Sequence, residues 1–143
     1  MKGNYTAETS VTIEAPAEKV WKAITTPELI AKYLYGTKVT SDWEEGSAIG
    51  YEGEYNGKGY EDKGTIKTLI PNEVFAATYW SSMGGKEDKP ENYNLVTYTL
   101  TEGGDRTVVT LTQDNIATDD EKQHATANWN GVLAELKKVA EGL

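Results

Sequence analysis

Few side chains in this chain are equipped for chemistry. It has one histidine, His124, no cysteine, and fourteen Lys and Arg against twenty-three Asp and Glu, a net charge of −9. His124 is the one group whose ordinary pKa lies near neutrality, so it is the natural candidate for moving a proton. A cyclase or hydrolase would pair it with a phenol or a carboxylate such as Asp62, whose place in the alternation matches that of Ile66. No Ser or Cys nucleophile is tied to His124 by a motif, and it sits early in a predicted helix at the edge of its apolar stripe. A partly exposed histidine that is structural or touches a ligand is the better account. Asp42, Glu44, Glu45 and Glu61 read as solvated turn and edge residues, whereas an inward Asp62 needs a partner, either a Tyr hydroxyl or His124. Without cysteine there is no thiol catalysis, and one histidine cannot build a zinc site alone. Asp114, Asn115, Thr118, Asp119 and Asp120 lack the glycine and closing glutamate of an EF-hand loop and read as a helix start. No metal or cofactor is expected.

Aromatic residues are the richer resource. Four Trp and nine Tyr stand against one Phe, and both types join an apolar body to a polar handle. Such residues suit a site that holds a ring-bearing molecule by packing plus one or two hydrogen bonds. Alternation along extended runs decides which of them share a face. Ile66 brings Tyr60 and Gly64; Ile49 brings Tyr51 and Tyr55; Phe75 brings Ala77 and Tyr79; Val96 brings Tyr98 and Leu100; Val109 brings Leu111 and Gln113. A bulge before Trp80 would turn Trp80 in and Tyr79 out, but Phe75 with Tyr79 is the preferred assignment. The candidate set is therefore Tyr51, Tyr60, Tyr79, Tyr98 and Trp129 as aromatic walls, Ile66, Phe75 and Leu133 as apolar packing, and Gln113 or His124 as a polar contact. Any one of them, taken singly, reads first as core filling.

These positions need elements to hold them. In VTIEAPAEKVWKAI, residues 11–24, apolar residues alternate up to Ile13 and then fall at Ala17, Val20, Trp21 and Ile24. A strand thus turns a sharp corner at Ala15 and Pro16 into a helix, with Pro16 as its first residue. A second short helix follows, capped by Thr26, opened by Pro27 and closed by Gly36. Six strand-like runs come next, near residues 37–43, 48–55, 59–70, 74–82, 93–101 and 106–113. Turns such as Asn56-Gly57 and Gly103-Gly104 make successive runs antiparallel. Gly50, Gly53 and Gly64 predict bulges or bends in a curved sheet, and residues 81–93, SSMGGKEDKPENY, a loop at one rim with the composition of a flap. Thr118 and Glu121 form a capping box, after which Ala125, Trp129, Val132, Leu133, Leu136, Val139, Ala140 and Leu143 trace the stripe of a long helix. The order β, α, α, six β, α occupies a single domain, residues 1–143, with no repeat or linker.

That order, with the pieces IEAPAEKVWKAIT, DWEEGSAIGYEG, YEDKGTIKTLIPNEVF, VTYTL, TVVTLTQDN and HATANWNGVLAELKK, resembles the bacterial branch of the activator of heat-shock protein 90 ATPase-like family. This family belongs to the START-like, birch-pollen-allergen-like superfamily. The resemblance spans nearly the whole chain and implies an α+β helix-grip fold, a curved antiparallel sheet wrapped around a long C-terminal helix with two short helices closing one end. It also implies a cavity between sheet and helix. The superfamily houses lipid carriers, hormone receptors, cyclases and co-chaperones on one scaffold, so fold alone does not choose among them.

The acidic balance argues against phosphate backbones and anionic membranes, so no nucleic acid and no membrane insertion are expected. The start, MKGNYTAETS, has no apolar run for an export signal, which predicts a cytoplasmic protein. The favoured partner is a small hydrophobic or aromatic molecule, bound without turnover. The alternatives are an enzyme using His124 and a co-chaperone-like module whose acidic surface meets a basic protein.

Overall fold

The structure is a computed structural model that describes residues 3–55, 57–82 and 86–143. The expectations for the Tyr55 side chain, for Asn56 and for Met83, Gly84 and Gly85 fall outside it. Strand β1 (Tyr5–Ile13) runs into helix α1 (Ala17–Thr25) through the predicted corner, shifted by one residue. Pro16 is the extended residue before the helix, not its first turn, with φ −68° and ψ 158°. Its carbonyl accepts the amides of Lys19 and Val20 at 3.0 and 3.3 Å. The orphan amide of Ala17 finds the Glu102 carboxylate at 3.0 Å, and the buried Thr107 hydroxyl donates to the Ala15 carbonyl at 2.8 Å. The corner is thus fastened to the sheet by polar groups that would be costly to bury unpaired.

Helix α2 (Pro27–Tyr33) and strands β2 (Lys38–Ser41), β3 (Ala48–Tyr55), β4 (Lys58–Ile70), β5 (Val74–Tyr79), β6 (Asn94–Gly103) and β7 (Arg106–Ile116) follow, and α3 (Asp119–Glu141) ends the chain. The strands form one antiparallel sheet in the order β1-β7-β6-β5-β4-β3-β2. Helix α3 starts where the capping box predicts, the Thr118 hydroxyl accepting from the Glu121 amide at 3.2 Å. It lies mainly along β1, with α1, α2 and β7 also beside it. Its Val132, Leu133, Leu136 and Ala140 are buried with Ile13, Val20 and Leu111. Each fully buried branched aliphatic side chain contributes about 1.5–3 kcal/mol relative to exposure.

Of the bulges or bends expected at the glycines of this curved sheet, the β3–β4 ladder carries no bulge. The β3–β4 ladder keeps unbroken register through Gly50, Gly53 and Gly64, from Ala48 opposite Thr65 to Tyr55 opposite Lys58. The bulge falls at Lys67, where Ile66 pairs with Ala77 but Thr68 with Ala76. Gly53 and Gly64 are instead sites of close approach. A Cβ on Gly53 would meet the Tyr60 hydroxyl at 2.3 Å, and one on Gly64 the backbone oxygen of Thr78 at 1.6 Å. The missing side chain at 64 lets β5 swing over β4 near Tyr79, where the Thr78 hydroxyl accepts the Thr65 amide at 2.8 Å in place of a ladder bond.

The segment 86–93 is held against the outer face of this end of the sheet. The Trp80 indole donates to the carbonyls of Lys86 and Glu87 at 3.2 and 3.1 Å, and its ring stacks on Tyr93 at 6.5 Å. Lys63 sits 5.6 Å from the Trp80 ring centre and pairs with Asp88 at 2.5 Å. Asp88 lowers in pKa and Lys63 rises because of that bond. A 3-10 turn, Pro90–Asn92, which the sequence reading left within the loop, ends the segment.

Gly64→Ala drives its Cβ into backbone that cannot rotate away, so it should lower stability by about 1–3 kcal/mol. Gly103→Ala, with open space and no positive φ, is the matched control and should change it by less than about 0.5 kcal/mol. Urea unfolding of both variants checks this, and equal midpoints would refute the close-approach account.

Candidate ligand cavity

Inward-facing positions of β3, β4, β5 and β6 meet side chains of α2 and α3 around a cavity of about 570 Å³. Among the described residues, nine that line it carry aromatic rings. Trp43 and Phe75 have centroids 6.0 Å apart, Phe75 and Tyr98 5.9 Å, and Tyr98 and Trp129 6.4 Å, so four aromatic side chains run in contact from the β2–β3 connection across the sheet to α3. A second pair, Tyr51 and Tyr79, meets edge to face at 5.6 Å.

Strand register explains the placement. Phe75 stands opposite Tyr98, and Val96 opposite Gln113. The Trp129 indole reaches across from α3 and donates to the Gln113 side chain at 2.6 Å. Tyr79, not Trp80, faces in, as the preferred assignment has it. Trp80 is committed to the outer contacts already described.

Asp62 is the polar centre of the wall. It is 6% exposed, stands opposite Tyr51 in the β3–β4 ladder and lines the cavity. Its carboxylate accepts the Tyr79 hydroxyl and, at 3.2 Å, the Ser82 amide. The hydroxyl partner anticipated for an inward Asp62 is therefore Tyr79, while His124 takes no part in this wall. Nearby, Thr37 donates to the Leu34 carbonyl at 2.6 Å, so its contact with Tyr60 at 2.5 Å has the tyrosine hydroxyl as donor.

Of the ten candidates, Tyr51, Tyr60, Phe75, Tyr79, Tyr98, Gln113 and Trp129 line the cavity. Ile66 and Leu133 do not, since they are sealed in the core at 0% and 1% exposure. His124 is exposed on α3 and outside the lining, so the structure does not assemble the acid and base pair that an enzyme using His124 and Asp62 would need. The sequence reading missed Trp43, Tyr33 and Thr37. Tyr33 lies in α2, and its reach into the cavity is set by how α2 packs on α3. Trp43 follows β2 in a left-handed conformation, φ 56°, which no alternation rule can anticipate.

Among the described residues no group of three His, Cys, Asp or Glu is arranged to hold a metal ion. Asp114 and Asn115 have structural work instead. The Asp114 carboxylate accepts the Leu95 amide at 2.6 Å, and the Asn115 side chain donates to the carbonyls of Glu91 and Tyr93 at 2.8 and 2.9 Å. No described helix is long and apolar enough to cross a membrane.

Burial raises the phenol pKa values of Tyr33, Tyr51, Tyr79 and Tyr98 above the ordinary tyrosine range, and for Tyr79 the bond to Asp62 adds to it. These hydroxyls stay protonated through the neutral range, and that of Tyr79 donates to Asp62. The folded state holds its phenol protons more tightly than the unfolded chain, whose tyrosines titrate near 10.0. Stability should thus be unaffected by these groups below about pH 10 and fall as the pH rises from there toward the higher folded values. Thermal melts across the alkaline range, followed with tyrosinate absorbance, should show the four buried phenols ionising only together with unfolding. Ionisation of all nine tyrosines ahead of unfolding would contradict this.

Comparison with known proteins agrees with this architecture. The profile of the family described as activator of Hsp90 ATPase homolog 1-like protein matches residues 14–141. The solution structure of ChR145 from Cytophaga hutchinsonii is 46% identical, covers 99% of this chain and 97% of its own, and superposes with a TM-score of 0.85. The solution structure of the Aha1 dimer from Colwellia psychrerythraea is 23% identical over 96% of this chain and 97% of its own, with a TM-score of 0.75. The crystal structure of MLL2253 from Mesorhizobium loti is 21% identical over 94% and 96%, with a TM-score of 0.76. The latter two show the shared fold. No curated relative matches the chain.

Proposed function

The chain belongs to the activator of Hsp90 ATPase homolog 1-like family, and we propose that it binds a small, ring-bearing hydrophobic molecule in the cavity between the sheet and α3, without turnover. The family and its fold support a ligand-binding or related role. The observation that carries the finer reading is the cavity itself, a space of about 570 Å³ walled by two sets of contacting rings. A space of this size suits a small organic ligand. Its rings offer large apolar area at little cost in side-chain entropy, because their neighbours already hold them in place. The chemistry present supports binding without turnover. The only side chain with a near-neutral ordinary pKa, His124, stands outside, and Asp62, the buried carboxylate of the lining, already accepts from the Tyr79 hydroxyl and the Ser82 amide.

Ala77 lies in the wall, buried at 4%, between Phe75 and Tyr79 on the same face of β5. Ala77→Leu should fill part of the space and remain folded. It should weaken binding of the neutral fluorescent probe N-phenyl-1-naphthylamine by about tenfold, since one overpacked contact costs about 1–3 kcal/mol. Thr99→Leu, on an exposed position of β6, is the control and should leave binding unchanged. Failure of the wild-type protein to bind any neutral aromatic probe, or equal binding by both variants, would contradict the proposal.

A further inference from the structure

The charge of the cavity points to the kind of molecule it takes. The lining contains two carboxylates, buried Asp62 and exposed Glu54, and among the described residues no Lys, Arg or His. A carboxylate accepts about four hydrogen bonds. Among the described residues Asp62 has two donors, the Tyr79 hydroxyl and the Ser82 amide, both formally neutral. None of the ion pairs among the described residues involves it. A carboxylate at 6% exposure without a cationic partner is costly to maintain in an apolar wall.

Beside it stand two rings. Tyr51 is its cross-strand neighbour and Tyr79 its hydrogen-bonding partner, the rings 5.6 Å apart and steeply inclined, and both line the cavity. A buried negative charge flanked by aromatic rings is the combination that recognises an ammonium, the rings attracting the cation through their quadrupoles and the carboxylate through its charge. The net charge of −9 adds a long-range field that draws cations and repels anions.

We propose that the ligand is an organic ammonium on an apolar or aromatic body, with its charged head at Asp62 between Tyr51 and Tyr79 and its body along Phe75, Tyr98 and Trp129. This rests on the cavity being a binding site. It excludes the fatty acids and other carboxylates that a hydrophobic cavity could otherwise take, because such a head would meet Asp62 with no basic residue among the described lining residues to receive it.

Three probes with one ring system and different heads provide the test: 2-(1-naphthyl)ethylamine, 1-naphthaleneethanol and 1-naphthaleneacetate, titrated calorimetrically at neutral pH. The ammonium should bind about tenfold or more tighter than the alcohol, and the carboxylate weakest of the three. Asp62→Asn should remove most of the gap between ammonium and alcohol, read as the ratio of the two affinities within the variant. Tyr51→Leu should narrow the gap several-fold, and it serves as the deciding variant where a thermal melt shows Asp62→Asn unfolded. Alcohol binding as tight as ammonium binding overturns the charge assignment and leaves the cavity reading standing. Failure of all three probes, together with the neutral probe above, overturns both.

Discussion

One helix cannot cover seven strands. Strands about 4.8 Å apart make a seven-stranded sheet about 29 Å wide, against about 10 Å for a helix with its side chains. Helix α3 spends its apolar stripe on the side of the sheet where β1 and β7 lie, and α1 and α2 fill in beside it. The inner faces of β3, β4 and β5 are left without a helix lying on them. Their residues must be apolar enough to join the core at one end and large enough to wall a space at the other. Aromatic side chains do both, which is why the rings gather here. The cavity is the geometric remainder of a wide curved sheet gripping a single helix.

A wall of this sort tolerates polar groups only in pairs. Tyr60 bonds to Thr37, Trp129 to Gln113 and Tyr79 to Asp62, and among the described residues no buried side-chain nitrogen or oxygen lacks a partner. Each pair fixes a ring, so the cavity is preorganised and a ligand need not bear the entropy of ordering its walls. Asp62 differs from the rest because its partners leave its charge unmatched. Gly64 makes the arrangement possible. The close passage of Thr78 over it brings Tyr79 within reach of the carboxylate two residues earlier on β4. A backbone constraint and an electrostatic one thus meet in a few residues, on the uncovered half of the sheet.

Much of this was legible in the sequence, for identifiable reasons. Period change located the β1–α1 corner, and the capping box located the start of α3, because both are local signals. Alternation placed Tyr51, Tyr60, Phe75, Tyr79 and Tyr98 on the cavity side, since strand register preserves parity wherever the ladder is regular. It could not separate wall from core. Ile66 shares a face with Asp62 and Tyr60 but sits farther along β4, under the body of the fold. Leu133 likewise lies one helical turn beyond Trp129. At Gly53 and Gly64 the sequence left bulge and bend open together, because a missing side chain has the same appearance in sequence whether the strand bulges, bends or is passed over by another group. Trp43 and His124 were settled by a left-handed residue and by the rotation of α3, neither of which leaves a periodic trace.

The four tryptophans supply an internal standard for the central claim, that the uncovered half of the sheet is where a ligand goes. Trp43 and Trp129 line the cavity, whereas Trp21 on α1 and Trp80 on the outer face do not. The most direct measurement follows the four indole N–H resonances by nitrogen-15 correlated NMR while N-phenyl-1-naphthylamine is added. The account predicts saturable shifts for Trp43 and Trp129, with Trp21 and Trp80 unmoved. Shifts confined to Trp80 or Trp21, or none at ligand saturation, would contradict it.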